Sequence, residues 1–183
     1  MVSSRATVAI AALLCLTCAA AGAQSPALGL GHPASPEAVK AIDIDVLPDG
    51  RGLPPGHGTA AAGKPLYIAH CGACHGATGT EGPNDLLAGG RGTLTSARPI
   101  KTVGSFWPYA TTLWDYINRA MPYEQPHSLA ADDVYSITAF VLFLNGIVGE
   151  RDVVSETTLP MVKMPNQNGF VPDNRANENL PRR

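Results

Sequence analysis

Two cysteines and a histidine stand close together in the chain, as Cys71-Gly72-Ala73-Cys74-His75. On a helix, positions i, i+3 and i+4 share one face, and Cys71, Cys74 and His75 occupy those positions. Both thiols can then reach the two vinyl groups of one porphyrin, while the imidazole reaches the iron between them. Cys-x-x-Cys-His is the attachment signature of c-type haem. The sequence contains one copy, so one covalently bound haem c (iron) is expected.

Two other uses of this motif are zinc binding and thiol redox chemistry. A zinc site would need a second pair of cysteine or histidine ligands at ligand spacing. Once a cleaved N-terminal segment is removed (below), the chain has no further cysteine to supply it. A thioredoxin-like dithiol would need a βαβ setting, which the sequence does not suggest. Haem attachment is therefore the favoured interpretation, and a redox dithiol is the remaining alternative.

A second iron ligand is expected, because low-spin electron-transfer haem usually has one and methionine is a common choice. Met121 lies 46 residues after His75, directly after a predicted helix. The proline that follows it lacks an N–H and stiffens the loop that would present the sulfur. Met161 and Met164 lie in a proline-rich tail. Met121 is the predicted axial ligand, and the alternatives are one of the two tail methionines, a histidine ligand or an open site.

The first 23 residues have the pattern of a secretory signal peptide. Arg5 precedes an apolar stretch over residues 8–21, and Ala21-Gly22-Ala23 has the small-x-small pattern of a signal-peptidase site. Cleavage after Ala23 would place the mature protein in the periplasm without a membrane span, and leave only the two cysteines of the haem motif. An uncleaved anchor is the alternative, although the apolar stretch is short for a bilayer.

Length and composition limit the remaining possibilities. A chain of 183 residues with 45% hydrophobic residues suggests one domain with extensions. Its net charge of −2 excludes a nucleic-acid binder that works through bulk positive charge. The 19 glycines and 16 prolines predict much irregular chain around the regular core. No carboxylate pair or Ser-His-Asp set indicates a catalytic residue, so any redox chemistry would belong to the haem.

Hydrophobic spacing predicts the elements that position the haem motif. Helices are expected at residues 59–75, at residues 110–120, and from a start capped by Ser128 to a stop at Asn145-Gly146. The last helix should cross the first. One short alternating run, residues 42–46, is a possible strand.

This arrangement resembles class I cytochromes c, an all-α fold with three to four short helices around one covalent haem. We expect a signal peptide at residues 1–23, an N-terminal arm at 24–58, a cytochrome c domain at 59–150 and a C-terminal arm at 151–183. Irregular arms are costly to order alone, so they would be stabilised by covering another protein. Disordered tails are the alternative.

The resemblance to class I cytochromes c suggests roles for further residues. Met121 has the position of the axial methionine. Pro83 has the position of a proline whose carbonyl accepts the N–H of the proximal imidazole, with a plain turn proline as the alternative. From its position four residues before Cys71, Tyr67 should pack beside the haem attachment, and Leu86 and Leu87 should cover the haem face. The indole N–H of Trp114 would reach a haem propionate, or the ring would be plain core.

Short motifs on both sides of the haem site, and in the loop between the helices, resemble one family. They are Gly29-Leu30-Gly31, Asp43-Ile44-Asp45-Val46, Pro48-Asp49-Gly50, Gly52-Leu53-Pro54-Pro55-Gly56, Leu87-Ala88-Gly89-Gly90, Gly92-Thr93-Leu94-Thr95, Lys101-Thr102-Val103-Gly104-Ser105, Trp107-Pro108-Tyr109-Ala110, Leu113-Trp114-Asp115-Tyr116-Ile117, Ala120-Met121-Pro122, Met164-Pro165-Asn166, Gly169-Phe170 and Pro172-Asp173. Together they cover nearly all of residues 28–174. They resemble the cytochrome c subunit of periplasmic sulfane dehydrogenase, the SoxD-like component of the Sox thiosulfate-oxidising system.

This second resemblance implies a redox subunit that is not catalytic alone. Its partner would be a molybdopterin subunit related to sulfite oxidase, which oxidises a sulfane sulfur held on a cysteine of a carrier protein. The molybdopterin would stay in that partner, while this chain passes single electrons to another cytochrome c. Related cytochromes also serve sulfite dehydrogenases. The alternatives are a free periplasmic electron-shuttle cytochrome c and a haem enzyme, such as a peroxidase, with an open iron position.

Overall fold

A computed structural model describes residues 30–172 of the chain. The predicted signal peptide, its cleavage site after Ala23 and residues 173–183 lie outside this range. In chain order the elements are α1 (Pro36–Ile42), β1 (His57–Gly58), α2 (Ala60–His70), α3 (Gly72–His75), α4 (Ala110–Ala120), α5 (Ala131–Leu144), β2 (Val154–Ser155) and a 3-10 turn (Leu159–Met161).

The chain divides into two units near the end of α1, one up to Ala41 and one from Ile42 onward. In the first unit, the Oγ atom of Ser35 accepts a hydrogen bond from the N–H of Ala38 and caps the start of α1. No residue of α1 is buried. The second unit contains the cysteine motif.

Helices α2 and α5 form the centre of this unit. Thr59 caps α2, because its Oγ1 accepts the N–H of Ala62 at 3.2 Å. The two helices approach so closely at Gly63 that a Cβ atom there would lie 1.8 Å from the carbonyl oxygen of Ser136. Residues 134–142 of α5 are all buried. The predicted crossing of the first and last helices is therefore confirmed.

Helix α4 has the predicted bounds and packs its apolar side onto α5. Leu113, Trp114 and Ile117 are buried on that side, and the helix ends at Met121, whose N–H donates to the carbonyl of Ile117. A single two-residue antiparallel pair, His57 with Ser155 and Gly58 with Val154, is the only β-structure within residues 30–172. The prediction of a helical fold is confirmed for the part of the chain described.

Three local predictions were wrong. The first helix is broken at Cys71, where φ is −124° and ψ is −28°, so residues 59–75 form two helices. Residues 43–46 are not a strand, because Ile42 still belongs to α1 and the Val46 side chain enters the core. Ser128 does not cap α5, because its hydroxyl donates to the carbonyl of Gln125 and the helix begins three residues later.

Parts of both irregular arms are packed onto the helices. Val46 before the helices, and Val154, Leu159 and Met164 after them, belong to the same buried cluster as α5. The Nδ2 atom of Asn166 donates to the carbonyl of Phe106 at 2.7 Å. These residues are therefore ordered by their own domain. Covering another protein is therefore not needed to order these residues, and for the rest of both arms it stays a prediction.

No helix between residues 30 and 172 is long and apolar enough to cross a membrane.

Candidate haem site

A mainly apolar cavity of about 890 Å³ opens between α2, α3, α4 and α5. Its wall contains most of the side chains that the sequence singled out for haem binding. They are Tyr67, Cys71, Cys74, His75, Pro83, Leu86 and Met121. Tyr67 and Met121, which are 54 positions apart in the chain, thus line the same cavity.

The cysteine motif reaches this cavity through a single helical turn. Cys71 ends the hydrogen-bonding pattern of α2, and its carbonyl accepts the N–H of Cys74 at 3.1 Å and the N–H of His75 at 2.9 Å. This turn puts the two sulfurs and the imidazole on the same side, as the i, i+3, i+4 spacing predicts. The geometry differs from a continuous helix only in the break at Cys71.

The two thiols are free, and Cys71 does not have the lowered pKa of a reactive nucleophile. Burial, and secondarily the neighbouring Cys74, raise the pKa of Cys71 to about 11. A redox-active pair needs one cysteine with a lowered pKa, because the thiolate is the nucleophile. A zinc site is also not supported, since residues 30–172 contain no group of three or more His, Cys, Asp or Glu side chains arranged to hold a metal.

The imidazole of His75 is oriented by a backbone carbonyl. Its Nδ1 atom lies 2.8 Å from the carbonyl oxygen of Asp85. A carbonyl only accepts, so Nδ1 carries the proton and Nε2 keeps a free lone pair for a metal. The prediction that the carbonyl of Pro83 has this role is wrong, because the loop brings the carbonyl two residues further on to the ring. Pro83 itself lines the cavity.

Met121 is the one methionine of residues 30–172 that lines the cavity. It follows the last residue of α4, and its N–H donates to the carbonyl of Ile117 at 3.0 Å. Met161 is 64% exposed, and Met164 is buried in the core cluster, but neither belongs to the cavity wall. The arrangement therefore favours Met121 over the two methionines of the tail.

Tyr67 contributes a buried hydroxyl to the cavity wall. The ring packs against Phe140 with centroids 5.1 Å apart. Its Oη atom has no hydrogen-bond partner among the residues described. Burial, followed by the charges of Cys71 and Glu81, raises the pKa of Tyr67 to about 12. A neutral, unpartnered hydroxyl in this wall suits a bound group that fills the cavity.

Trp114 does not line the cavity. The indole is 1% exposed and packs against Tyr135 with ring centroids 5.3 Å apart. Its Nε1 atom has no partner within residues 30–172. Of the two roles expected from the sequence, the structure favours plain core over contact with a haem propionate.

Four residues on one side of the cavity were not predicted from the sequence to belong to the site. Lys101, Val103, Trp107 and Tyr116 belong to its wall, and the rings of Trp107 and Tyr116 meet edge to face at 5.8 Å. A tryptophan in an irregular, glycine- and proline-rich segment was the available signal, because such a ring must find a surface to cover.

The residues present fit a covalent haem. Two free thiols, one imidazole with Nε2 available and one thioether surround a mainly apolar space. This is the donor set of a c-type haem with histidine and methionine ligands. The unpartnered hydroxyl of Tyr67 indicates that the wall is complete only with a group inside it.

Comparisons with known proteins found a family and a solved structure to which this chain is similar. Residues 58–141 match the family described as cytochrome c oxidase, cbb3-type, subunit III. The crystal structure of the sulfane dehydrogenase SoxCD from Paracoccus pantotrophus matches with a TM-score of 0.75 and 45% sequence identity. That match covers 85% of this chain and 77% of the SoxCD chain. No curated protein matches significantly. The predicted all-α class I cytochrome c fold is thereby confirmed.

Proposed function

This chain belongs to the family of the SoxD-like cytochrome c subunits of sulfane dehydrogenase, and on that premise we propose that it is a mono-haem electron-transfer subunit. The cytochrome c match supports haem as its electron carrier. The observation that carries the proposal is the cavity wall, which joins Cys71, Cys74, His75 and Met121. These are the residues that a c-type haem requires for attachment and for two axial ligands.

Each of these residues has one role in the proposal. The thiols of Cys71 and Cys74 would hold the haem covalently, as thioethers. His75 would bind the iron through Nε2, because its Nδ1 proton is held by the carbonyl of Asp85. Met121, at the end of α4, would bind the iron through its thioether sulfur.

When bound, the haem supplies reversible one-electron chemistry at iron. The chain controls the surroundings of that chemistry. Val103, Leu113 and Ile137 are buried side chains of the cavity wall that exclude water from it. Exclusion of water lowers the local dielectric and is one of the means by which a protein sets the reduction potential. Tyr116 also lines the cavity, but it is 48% exposed to solvent. Its ring therefore offers a contact for a redox partner.

The partner in this proposal is a molybdopterin subunit related to sulfite oxidase. That subunit oxidises a sulfane sulfur on a carrier-protein cysteine, or free sulfite, and releases electrons in pairs. This chain accepts them singly and passes each to an acceptor cytochrome c. The likeness to a sulfane dehydrogenase at 45% identity supports the proposal.

The proposed location is the periplasm, after removal of residues 1–23. The export signal is consistent with covalent haem attachment. The two cysteines that remain after residues 1–23 are removed, Cys71 and Cys74, are those of the haem motif. Sequencing the N-terminus of the purified protein checks this, with Gln24 as the expected first residue.

The proposal is tested by purifying the haem-loaded protein through an affinity tag from the periplasm of its source organism, and measuring molybdenum and covalent haem. Molybdenum at a fixed ratio to one haem per chain is expected. Haem without molybdenum, in a small monomer, would overturn the subunit role and leave a free electron shuttle. A Cys71→Ser, Cys74→Ser double variant is the control, since it should lose covalent haem. Activity with sulfane-loaded carrier or with sulfite then separates the two substrates.

A further inference from the structure

An ion-pair network joins the segment before β1, residues 42–52, to the last turn of α4. The guanidinium of Arg119 pairs with the carboxylates of Asp45 and Asp115. Asp115 is one turn earlier on the same helix, whereas Asp45 is 74 residues away in the chain. Arg119 stands two residues before Met121. The network therefore lies at the point where α4 ends and the proposed iron ligand begins.

The N-terminal side of this network is firmly held. The Val46 side chain is 8% exposed, and its backbone N–H donates to the Oδ1 atom of Asp115 at 3.0 Å. The following turn closes at Gly52, whose φ is +92°. A Cβ atom at Gly52 would lie 2.0 Å from the carbonyl oxygen of Asp45, so only glycine allows this approach. The backbone that carries Asp45 is thus held in place opposite Arg119.

The helix side of the network leads directly to Met121. The N–H of Met121 donates to the carbonyl of Ile117, which is the last backbone bond of α4. The chain beyond it leaves the helix, and Tyr123 is 84% exposed. Fraying of the last turn would therefore withdraw Met121 from the cavity. A cation in the last turn also interacts favourably with the helix dipole, which opposes fraying.

We propose that Arg119 is a positioning residue for Met121, and that Asp45 ties the N-terminal segment to this task. The inference rests on the proposed function, in which Met121 ligates the iron. Besides their contribution to the core, residues 42–52 then keep the last turn of α4 helical.

The test compares Asp45→Asn with Asp49→Asn in the haem-loaded protein. Asp49 is the matched control, because within residues 30–172 its one ion pair is with nearby Arg51, at 2.8 Å. Imidazole is titrated against the ferric protein, where it competes with Met121 for the iron. The apparent imidazole affinity of Asp45→Asn is expected to rise about twofold to fivefold, the range that an exposed ion pair supports. Asp49→Asn is expected to match the wild type.

Two further measurements separate positioning from general destabilisation. The difference between Asp45→Asn and the wild type should shrink at about 1 M salt, because exposed pairs are screened. Arg119→Lys retains the charge but not the two-pronged geometry, so its imidazole affinity should fall between those of the wild type and Arg119→Gln. Thermal unfolding followed by helix content should change little in Asp45→Asn.

The outcomes distinguish this inference from the proposed function. If the wild type lacks the sulfur-to-iron band at the red end of the ferric spectrum, Met121 is not the ligand and both fail. If the band is present and Asp45→Asn binds imidazole as Asp49→Asn does, only the positioning role is overturned. A lower unfolding temperature in Asp45→Asn without a change in imidazole affinity would also overturn it.

Discussion

The Nδ1 atom of His75 lies 2.8 Å from the carbonyl oxygen of Asp85, ten residues further along the chain. This contact fixes the ring orientation and the tautomer before any metal is bound, since a carbonyl accepts only from a protonated nitrogen. Ligating histidines commonly donate their second ring N–H in this way, which raises ligand basicity. The loop over residues 76–85 therefore belongs to the site as much as the cysteine motif does.

A first prediction concerns this tautomer. In the reduced, diamagnetic haem protein, long-range proton–nitrogen correlation of labelled histidine should show a protonated Nδ1 for His75, because Asp85 accepts its hydrogen bond. The other histidines of the chain provide the reference pattern in the same spectrum. A proton on Nε2 of His75 would contradict both the orientation and the assignment of Nε2 to iron.

A second prediction distinguishes the three methionines of the mature chain. Met121→Ala should abolish the sulfur-to-iron band of the ferric spectrum, because Met121 lines the cavity. Met164→Ala should retain the band but destabilise the fold by about 2–5 kcal/mol, because it removes a core side chain that is 4% exposed. Met161→Ala should change neither, since Met161 is 64% exposed. Spectra and urea unfolding measure the two effects separately.

Two results with the methionine variants would contradict the assignment of Met121 as the ligand. Loss of the band in Met164→Ala at denaturant concentrations where the helices remain folded would move the ligand to the tail. An unchanged band in Met121→Ala would exclude Met121 as the ligand.

The features of the candidate site that could be predicted from the sequence are those that depend only on neighbouring residues in the chain. The spacing of Cys71, Cys74 and His75 determines which side chains share a helical face, so no tertiary information is needed. The stripe over residues 110–120 likewise predicted the bounds of α4, because one face of that helix is buried throughout.

Contacts that depend on the path of a loop were beyond sequence reasoning. Pro83 and Asp85 follow His75 by eight and ten residues in the sequence, and only the course of the glycine-rich loop places the carbonyl of Asp85 at the ring. Trp114 and Trp107 could each have met the haem, and the packing of α4 on α5 directs Trp114 into the core instead. Burial of Val154 in a segment without helical period also has no signal in the local sequence.

A third prediction concerns acid stability. Hydrogen bonds from the side chain and backbone N–H of Thr78, and then from Thr80, lower the pKa of Glu81 to about 2 from the ordinary value of 4.5. Because the folded-state pKa is depressed, ionised Glu81 stabilises the fold above pH 4.5, and this contribution is lost as the pH falls from 4.5 toward about 2. Glu81→Gln should therefore unfold at a lower temperature than the wild type at neutral pH, and match it near pH 2.

Thermal unfolding across this pH range checks the prediction, with Glu124→Gln as the control for loss of one exposed carboxylate. A difference between Glu81→Gln and the wild type that stays constant down to about pH 2 would show that the hydrogen bonds of Thr78 and Thr80 do not depend on the charge.

The fourth prediction concerns the contact between α2 and α5. Gly63→Ala would force a Cβ atom to within 1.8 Å of the carbonyl oxygen of Ser136, and a backbone atom of a buried helix cannot move aside as a flexible side chain does. Alanine gains about 1 kcal/mol in helix propensity, but overpacking usually costs about 1–3 kcal/mol and occasionally more. With backbone against backbone, we expect net destabilisation of about 2 kcal/mol or more.

Gly72→Ala is the matched control, because it makes the same change one helix later. A Cβ atom at Gly72 would meet its nearest neighbours at 3.8 Å, an ordinary van der Waals distance. This variant should be neutral or more stable by about 0.4–1 kcal/mol, since alanine restricts the unfolded chain. Urea unfolding of both haem-loaded variants measures the difference. Equal stability of Gly63→Ala and Gly72→Ala would mean that α2 and α5 do not approach each other this closely at Gly63.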